Sequence, residues 1–161
     1  MDSRELFRSY ALNAIDTKGR VAIPAGLRAV IEKNSATKML MLSKHESDPC
    51  LSGYDREYSR ILHSKLEKRE DEDRAAGRVP SRHNINRMAF GLVEEIPFDG
   101  SGRFILPAFM RKKAGLEDLA FFLGAGDTFE VWNPHRLLEA EGVDEDVKEI
   151  VRFLLEEREA A

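Results

Sequence analysis

Residues 16–28 read DTKGRVAIPAGLR, and residues 99–111 read DGSGRFILPAFMR. The two stretches lie 83 positions apart and share Asp16/Asp99, Gly19/Gly102, Arg20/Arg103, Pro24/Pro107, Ala25/Ala108 and Arg28/Arg111, six identities in thirteen positions. Val21/Phe104, Ile23/Leu106 and Leu27/Met110 keep apolar character. A repeat of this kind means that one small unit is written twice. Each copy has a mechanical order. Asp and Gly supply turn chemistry, because Asp bonds nearby amides and Gly accepts a positive φ. RVAI and RFIL follow as short strands, with Val21 and Ile23 on one face and Arg20 and Ala22 on the other. Pro24 and Pro107 then end the strand and suit the first turn of a helix. Asp16, Gly19, Asp99 and Gly102 are therefore assigned as turn-forming residues.

The match extends outward more loosely. KMLMLS (38–43) and LAFFLG (119–124) supply an apolar strand after each helix. CLSGYDREYSRIL (50–62) parallels TFEVWNPHRLL (128–138), with Tyr54 opposite Trp132. Each half is expected to run strand, turn, strand, short helix, strand, strand, helix. Such a half is small to bury a core alone, so the two are expected to share one. Asn34 predicts a helix stop and Asp55 an N-cap. Tyr58, Ile61, Leu62 and Leu66 form an apolar stripe that vanishes into charge from Glu67. AAGRVPS (75–81) reads as a linker, and SRHNINRMAFG (81–91) as a short helix. Val147, Ile150, Val151, Leu154 and Leu155 recur at helical spacing near the C-terminus and must pack on something.

The expected class is α+β, with two repeated units of short strands and short helices sharing one core, and peripheral helical segments. As domains, this predicts one unit over 1–161: a first module at 7–62, a helical linker at 63–90, a second module at 91–138 and an acidic amphipathic helix at 139–161. No apolar run approaches the roughly 20 residues that span a bilayer, so no membrane partner is expected. The N-terminal stretch lacks an apolar signal core, which predicts a cytoplasmic protein. Cys50 is the one cysteine, so no intramolecular disulfide forms. Net charge is −4, yet residues 139–159 alone hold nine Asp/Glu against three Lys/Arg. The remainder is slightly basic, and local basic patches outweigh the total for a nucleic-acid partner.

The doubled D-x-x-G-R-apolar-apolar-apolar-P, with CLSGYDREYSRI and FEVWNPHRL after the two copies, resembles the MraZ family of bacterial transcriptional regulators over roughly Tyr10 to Leu138. The resemblance implies a β-rich core of two pseudo-symmetric AbrB-type swapped-hairpin modules and assembly into a closed homo-oligomeric ring. Ser52 and Gly53 stand where the family has apolar strand residues, so that strand is expected to be weakened. It also implies binding to direct repeats in the promoter of a division and cell-wall gene cluster, generally as a repressor. A cytoplasmic, nucleoid-associated location follows, with no cofactor and no small-molecule substrate.

The DNA-binding residues expected are Lys18, Arg20, Arg103, Arg28 and Arg111. A stiff Arg on a two-stranded ribbon suits the width of the major groove, where it bonds guanine O6 and N7 or grips phosphate. Asp16 and Asp99, four residues earlier, are placed to partner Arg20 and Arg103. Lys18 in the first turn adds a cation that DGSG lacks, so the first copy is expected to be the stronger contact. Arg4 and Arg8 read either as a mobile arm or as terminal charges with no specific role. The alternatives are a ring-forming assembly protein without DNA binding, a phosphate-binding enzyme and an antitoxin. DGSGR lacks the Lys-Ser/Thr of a phosphate loop. His45, His63, His83 and His135 are scattered and read as surface residues without metal-ligand spacing. Cys50 reads as an inert thiol. No catalytic residue and no metal site are assigned.

Overall fold

The computed structural model describes residues 3–79 and 82–161. The order is β1 (Tyr10–Ala14), β2 (Arg20–Ala22), α1 (Ala25–Ser35), β3 (Met39–Lys44), β4 (Leu51–Asp55) and α2 (Tyr58–Ala75). Then come α3 (Arg82–Asn86), a π-helical turn (Arg87–Gly91), β5 (Glu94–Pro97), β6 (Arg103–Ile105), α4 (Ala108–Lys113), β7 (Leu119–Gly124), β8 (Phe129–Trp132), α5 (Pro134–Glu139) and α6 (Glu145–Ala160). The fold is α+β. The expected seven-step order appears in both halves. Of the linker read over residues 75–81, Pro80 and Ser81 lie outside the described residues.

The halves exchange strands. The larger sheet has the order β1-β7-β8-β4-β3-β5, so the first strand of each half pairs with the third strand of the other. Read from either end with the halves exchanged, the order is the same. β2 and β6 form a separate antiparallel ribbon with Val21 opposite Phe104 at its centre. Alternation along the strands gives the sheet two buried faces. Ala120, Phe122, Phe129 and Val131 join the core that holds Val21, Phe104, Leu27 and Met110 under the ribbon. Phe121 and Trp132 point the other way and pack with Leu137 and Val151 of α5 and α6. The acidic C-terminal helix thus packs against the sheet of the same chain, across it from the ribbon.

Several local expectations change. Asn34 does not stop α1, which runs to Ser35 and closes on Ala36 in the left-handed region. Its side chain instead bonds the backbone of Glu5, accepting its N–H at 2.9 Å and donating to its carbonyl at 3.0 Å. Pro24 and Pro107 sit at the N-cap of α1 and α4 rather than inside the first turn. Gly53 does not weaken β4: a Cβ there would lie 2.4 Å from the ring of Phe129, its cross-strand partner. The missing side chain makes room for that aromatic. Arg4 is no mobile arm, because it grips the buried Asp55 bidentately at 2.8 and 3.0 Å. Asp55 precedes the N-cap position of α2, which is Glu57, yet it accepts the Tyr58 N–H at 3.0 Å.

Candidate nucleic-acid interface

The two turns are built alike, bond for bond. In the first, Asp16 Oδ1 accepts the N–H groups of Lys18 and Arg20, both at 2.9 Å, and the Gly19 N–H donates to the Asp16 carbonyl at 3.0 Å. In the second, Asp99 Oδ1 accepts from Ser101 and Arg103, both at 2.9 Å, and Gly102 donates to the Asp99 carbonyl at 2.9 Å. Gly19 and Gly102 hold φ of +80° and +82°, a region that L side chains enter at a cost. The ribbon is closed at each end by the turn of the opposite copy: Ile23 donates to the Gly102 carbonyl and Leu106 to that of Gly19, both at 2.9 Å.

Each arginine is then aimed by its aspartate. Arg20 Nε donates to Asp16 Oδ2 at 2.7 Å, and Arg103 Nε to Asp99 Oδ2 at 2.9 Å. These bonds engage Nε of each guanidinium, and among the described residues neither arginine makes a hydrogen bond through its terminal amino groups. The side chains are 54% and 65% exposed, on the ribbon face opposite Val21 and Phe104. Asp16 and Asp99 hold their protons less tightly than an ordinary aspartate. The main cause is the backbone N–H of Arg20 or Arg103, and the guanidinium adds to it. Lys18 is exposed in the first turn, with no hydrogen bond or ion pair to its ammonium group among the described residues.

Arg28 and Arg111 sit behind the turns and cross between the halves. Arg28 lays its guanidinium against Gly102, where a Cβ would meet Nη1 at 2.6 Å. Arg111 approaches Gly19 less closely, at 3.6 Å by the same measure. It also donates from Nε to the Leu116 carbonyl at 3.2 Å and from Nη2 to that of Glu117 at 2.5 Å, closing the loop after α4. The structure therefore gathers all five cations named from the sequence around one ribbon, but it commits Arg111 to main-chain carbonyls. Sequence reasoning passed over Ile105, which shares the outer face with the two arginines and is 64% exposed. Its position in the RFIL alternation, opposite to Phe104, was the available signal.

The other groups weighed for chemistry lie across the sheet from the ribbon. Cys50 is fully buried beside Trp132, and burial pushes its thiol far above the ordinary range. His45 is half-buried, unlike the surface placement expected of it. Its Nδ1 accepts the N–H groups of Ser47 and Asp48 at 3.1 and 3.0 Å, and its Nε2 faces Glu130 at 3.4 Å. His45, Asp48 and Glu130 offer ligand-type atoms within 4.8 Å of one another. Both ring nitrogens are already engaged, so the cluster reads as a fastening of the β3–β4 loop to β8. Hydrogen bonding to Glu130 raises the proton affinity of His45 despite its burial. A cleft of about 470 Å³ between α2, α3 and the sheet is lined by Tyr54, Tyr58, Leu62 and Met88 among others. Among the described residues, no helix is long and apolar enough to cross a membrane.

Known proteins are similar to this chain in sequence. Residues 89–139 match the sequence model of a family described as "MraZ protein, putative antitoxin-like". The chain is 33% identical to a transcriptional regulator MraZ of Rhodospirillum rubrum over 130 residues, covering 81% of each chain. It is 31% identical to a transcriptional regulator MraZ of Idiomarina loihiensis over 153 residues, covering 95% of this chain and 96% of the relative. A third relative of that name, from Ruegeria pomeroyi, is 33% identical over 135 residues, with 80% and 77% covered.

Proposed function

The chain belongs to the MraZ family of transcriptional regulators, and from that premise we propose how it engages DNA. Membership makes it a regulator of transcription, not an enzyme. The proposed action is sequence-specific: the β2–β6 ribbon enters the major groove of promoter DNA and represses the gene cluster downstream, a division and cell-wall cluster. The observation that carries this is the pair Arg20 and Arg103, each held through Nε by an aspartate and making no other hydrogen bond from its guanidinium among the described residues. A guanidinium fixed in this way has little rotamer freedom left to lose on meeting guanine O6 and N7. Lys18 adds a phosphate contact on the first turn, while Arg28 and Arg111 support the turns from behind.

One ribbon offers few cations. A closed ring of subunits presents the ribbon repeatedly, so that neighbouring copies meet successive direct repeats and avidity supplies the affinity. Head-to-tail subunit contacts fit direct repeats better than a palindrome. Placing α6 across the sheet keeps its acidic residues away from phosphate, which supports the same orientation. Such a protein acts in the cytoplasm at the nucleoid.

The test is a footprint on the DNA upstream of the protein's own gene, with Arg20→Ala/Arg103→Ala as the variant. The variant is expected to lose at least tenfold in affinity, given about 1–3 kcal/mol for each bidentate contact. Its dependence on salt should flatten and its sedimentation stay unchanged. An unaltered footprint with the same salt slope refutes the assignment. A ring that binds no DNA in the unsubstituted protein returns the function to pure assembly.

A further inference from the structure

We propose that Ile105 is a specificity-determining residue of the ribbon, seated on the 5-methyl group of a thymine beside the base pair that Arg20 engages. This rests on the DNA-binding reading above and extends it to base identity. The geometry begins with the ribbon's register, in which Arg20 faces Ile105 and Ala22 faces Arg103. The bonds from Ile23 to the Gly102 carbonyl and from Leu106 to the Gly19 carbonyl mark the hydrogen-bonded positions. Alternation makes Arg20/Ile105 and Ala22/Arg103 the non-hydrogen-bonded pairs, whose Cα atoms lie about 4.5 Å apart and whose side chains approach most closely. Ile105 therefore stands directly beside the Arg20 stem.

The fold does not account for an isoleucine there. The inner face is filled by Val21 and Phe104, and Ile105 is 64% exposed. Among the described residues it is the only aliphatic side chain among the exposed large hydrophobics that lies in a strand. Its repeat counterpart is Ala22, so the ribbon accepts a small residue at that position. Single exposed apolar side chains are common on proteins. This one occupies a corner of the four-residue face whose other corners are Arg20, Arg103 and Ala22. In the major groove guanine offers O6 and N7, and thymine offers a methyl group to apolar side chains. An Arg and an Ile side by side match a guanine next to a thymine. Exchanging the halves swaps Arg20 with Arg103 but Ala22 with Ile105. The arginines read alike in both senses, and the isoleucine gives the ribbon a direction.

The experiment uses the upstream DNA fragment that the full-length protein protects, with thymines replaced one at a time by uracil, which removes only the methyl group. One thymine per bound unit should weaken binding about fourfold when so replaced, the worth of one buried methyl-sized group. Ile105→Val should keep that penalty and Ile105→Ala abolish it. If the fragment is protected but no uracil matters, or if Ile105→Ala keeps the penalty, the proposal fails while the DNA-binding reading stands. A penalty kept in Ile105→Ala together with altered sedimentation assigns Ile105 to a subunit contact and also overturns it. If the unsubstituted protein protects no fragment, the underlying reading fails with it.

Discussion

Gly19 and Gly102 occupy the same position in the repeat and hold nearly the same φ, yet their surroundings separate them. Replacing either by alanine places an L side chain in the left-handed region, at roughly 1–2 kcal/mol. At Gly19 nothing more is lost, because the nearest atoms to the new Cβ are Arg111 Nη1 and the Leu106 carbonyl oxygen, both at 3.6 Å. At Gly102 the Cβ would lie 2.6 Å from Arg28 Nη1 and 2.8 Å from the carbonyl oxygen of Ile23. The arginine can swing aside, but the carbonyl belongs to the residue whose N–H bonds Gly102 and closes the ribbon. Relieving the clash opens that end of the ribbon, and overpacking of this kind adds about 1–3 kcal/mol. Gly102→Ala should therefore cost about 2–5 kcal/mol and Gly19→Ala about 1–2. Urea unfolding followed by circular dichroism, at one fixed chain concentration, measures both. Thermal midpoints should differ by at least about 2–4 °C, the shift expected per kcal/mol for a chain of this size. Equal losses, or a larger loss at Gly19, refute the reasoning.

Three further outcomes follow from the packing and the charges. Gly53→Ala should destabilise the protein by about 1–3 kcal/mol, and the loss should shrink in a Phe129→Leu background; additive unfolding energies in that double-mutant cycle would disprove the contact. Arg4→Ala leaves the fully buried Asp55 without its bidentate partner and should cost about 3–5 kcal/mol, the usual penalty for breaking a buried pair, against nearly nothing if the N-terminal segment is loose. The lowered proton affinity of Asp16 and Asp99 sets the sign of their pH dependence. Their contribution is complete above the unfolded carboxylate value of about 3.9 and is lost as pH falls through the lower folded value. Carboxyl NMR titration should find both midpoints below that reference, and a midpoint at or above it would contradict the turn geometry.

Local features were legible because local chemistry governs them. Asp and Gly at 16/19 and 99/102 specify a turn whose bonds are short-range, and alternation in RVAI and RFIL sends Arg20 and Arg103 outward whatever the rest of the chain does. The pairing of each arginine with the aspartate four residues earlier belongs to the same class. The bond from the Tyr58 N–H to Asp55 is equally short-range. Gly53 misled because its role depends on Phe129, 76 positions away, and a missing Cβ carries no mark of what fills the space. Asn34 and Arg4 misled similarly, since their partners Glu5 and Asp55 are brought near only when the N-terminal segment lies against α1 and β4.

The sequence by itself therefore determined a duplicated unit, its order of strands and helices, and two turns of like build, each presenting an arginine. Tertiary structure alone decided that β1 crosses to β7 and β5 to β3, because strand pairing is settled by which apolar faces can be buried together. It also decided that each turn of the repeat is closed by a bond from the other copy, and that α6 lies across the sheet from the ribbon. Arg28 and Arg111 match in sequence but differ in what they touch, since the loop after α4 turns the carbonyls of Leu116 and Glu117 toward Arg111. The same asymmetry leaves Ala22 half-buried and Ile105 in solvent on a ribbon that the sequence wrote as two copies of one device.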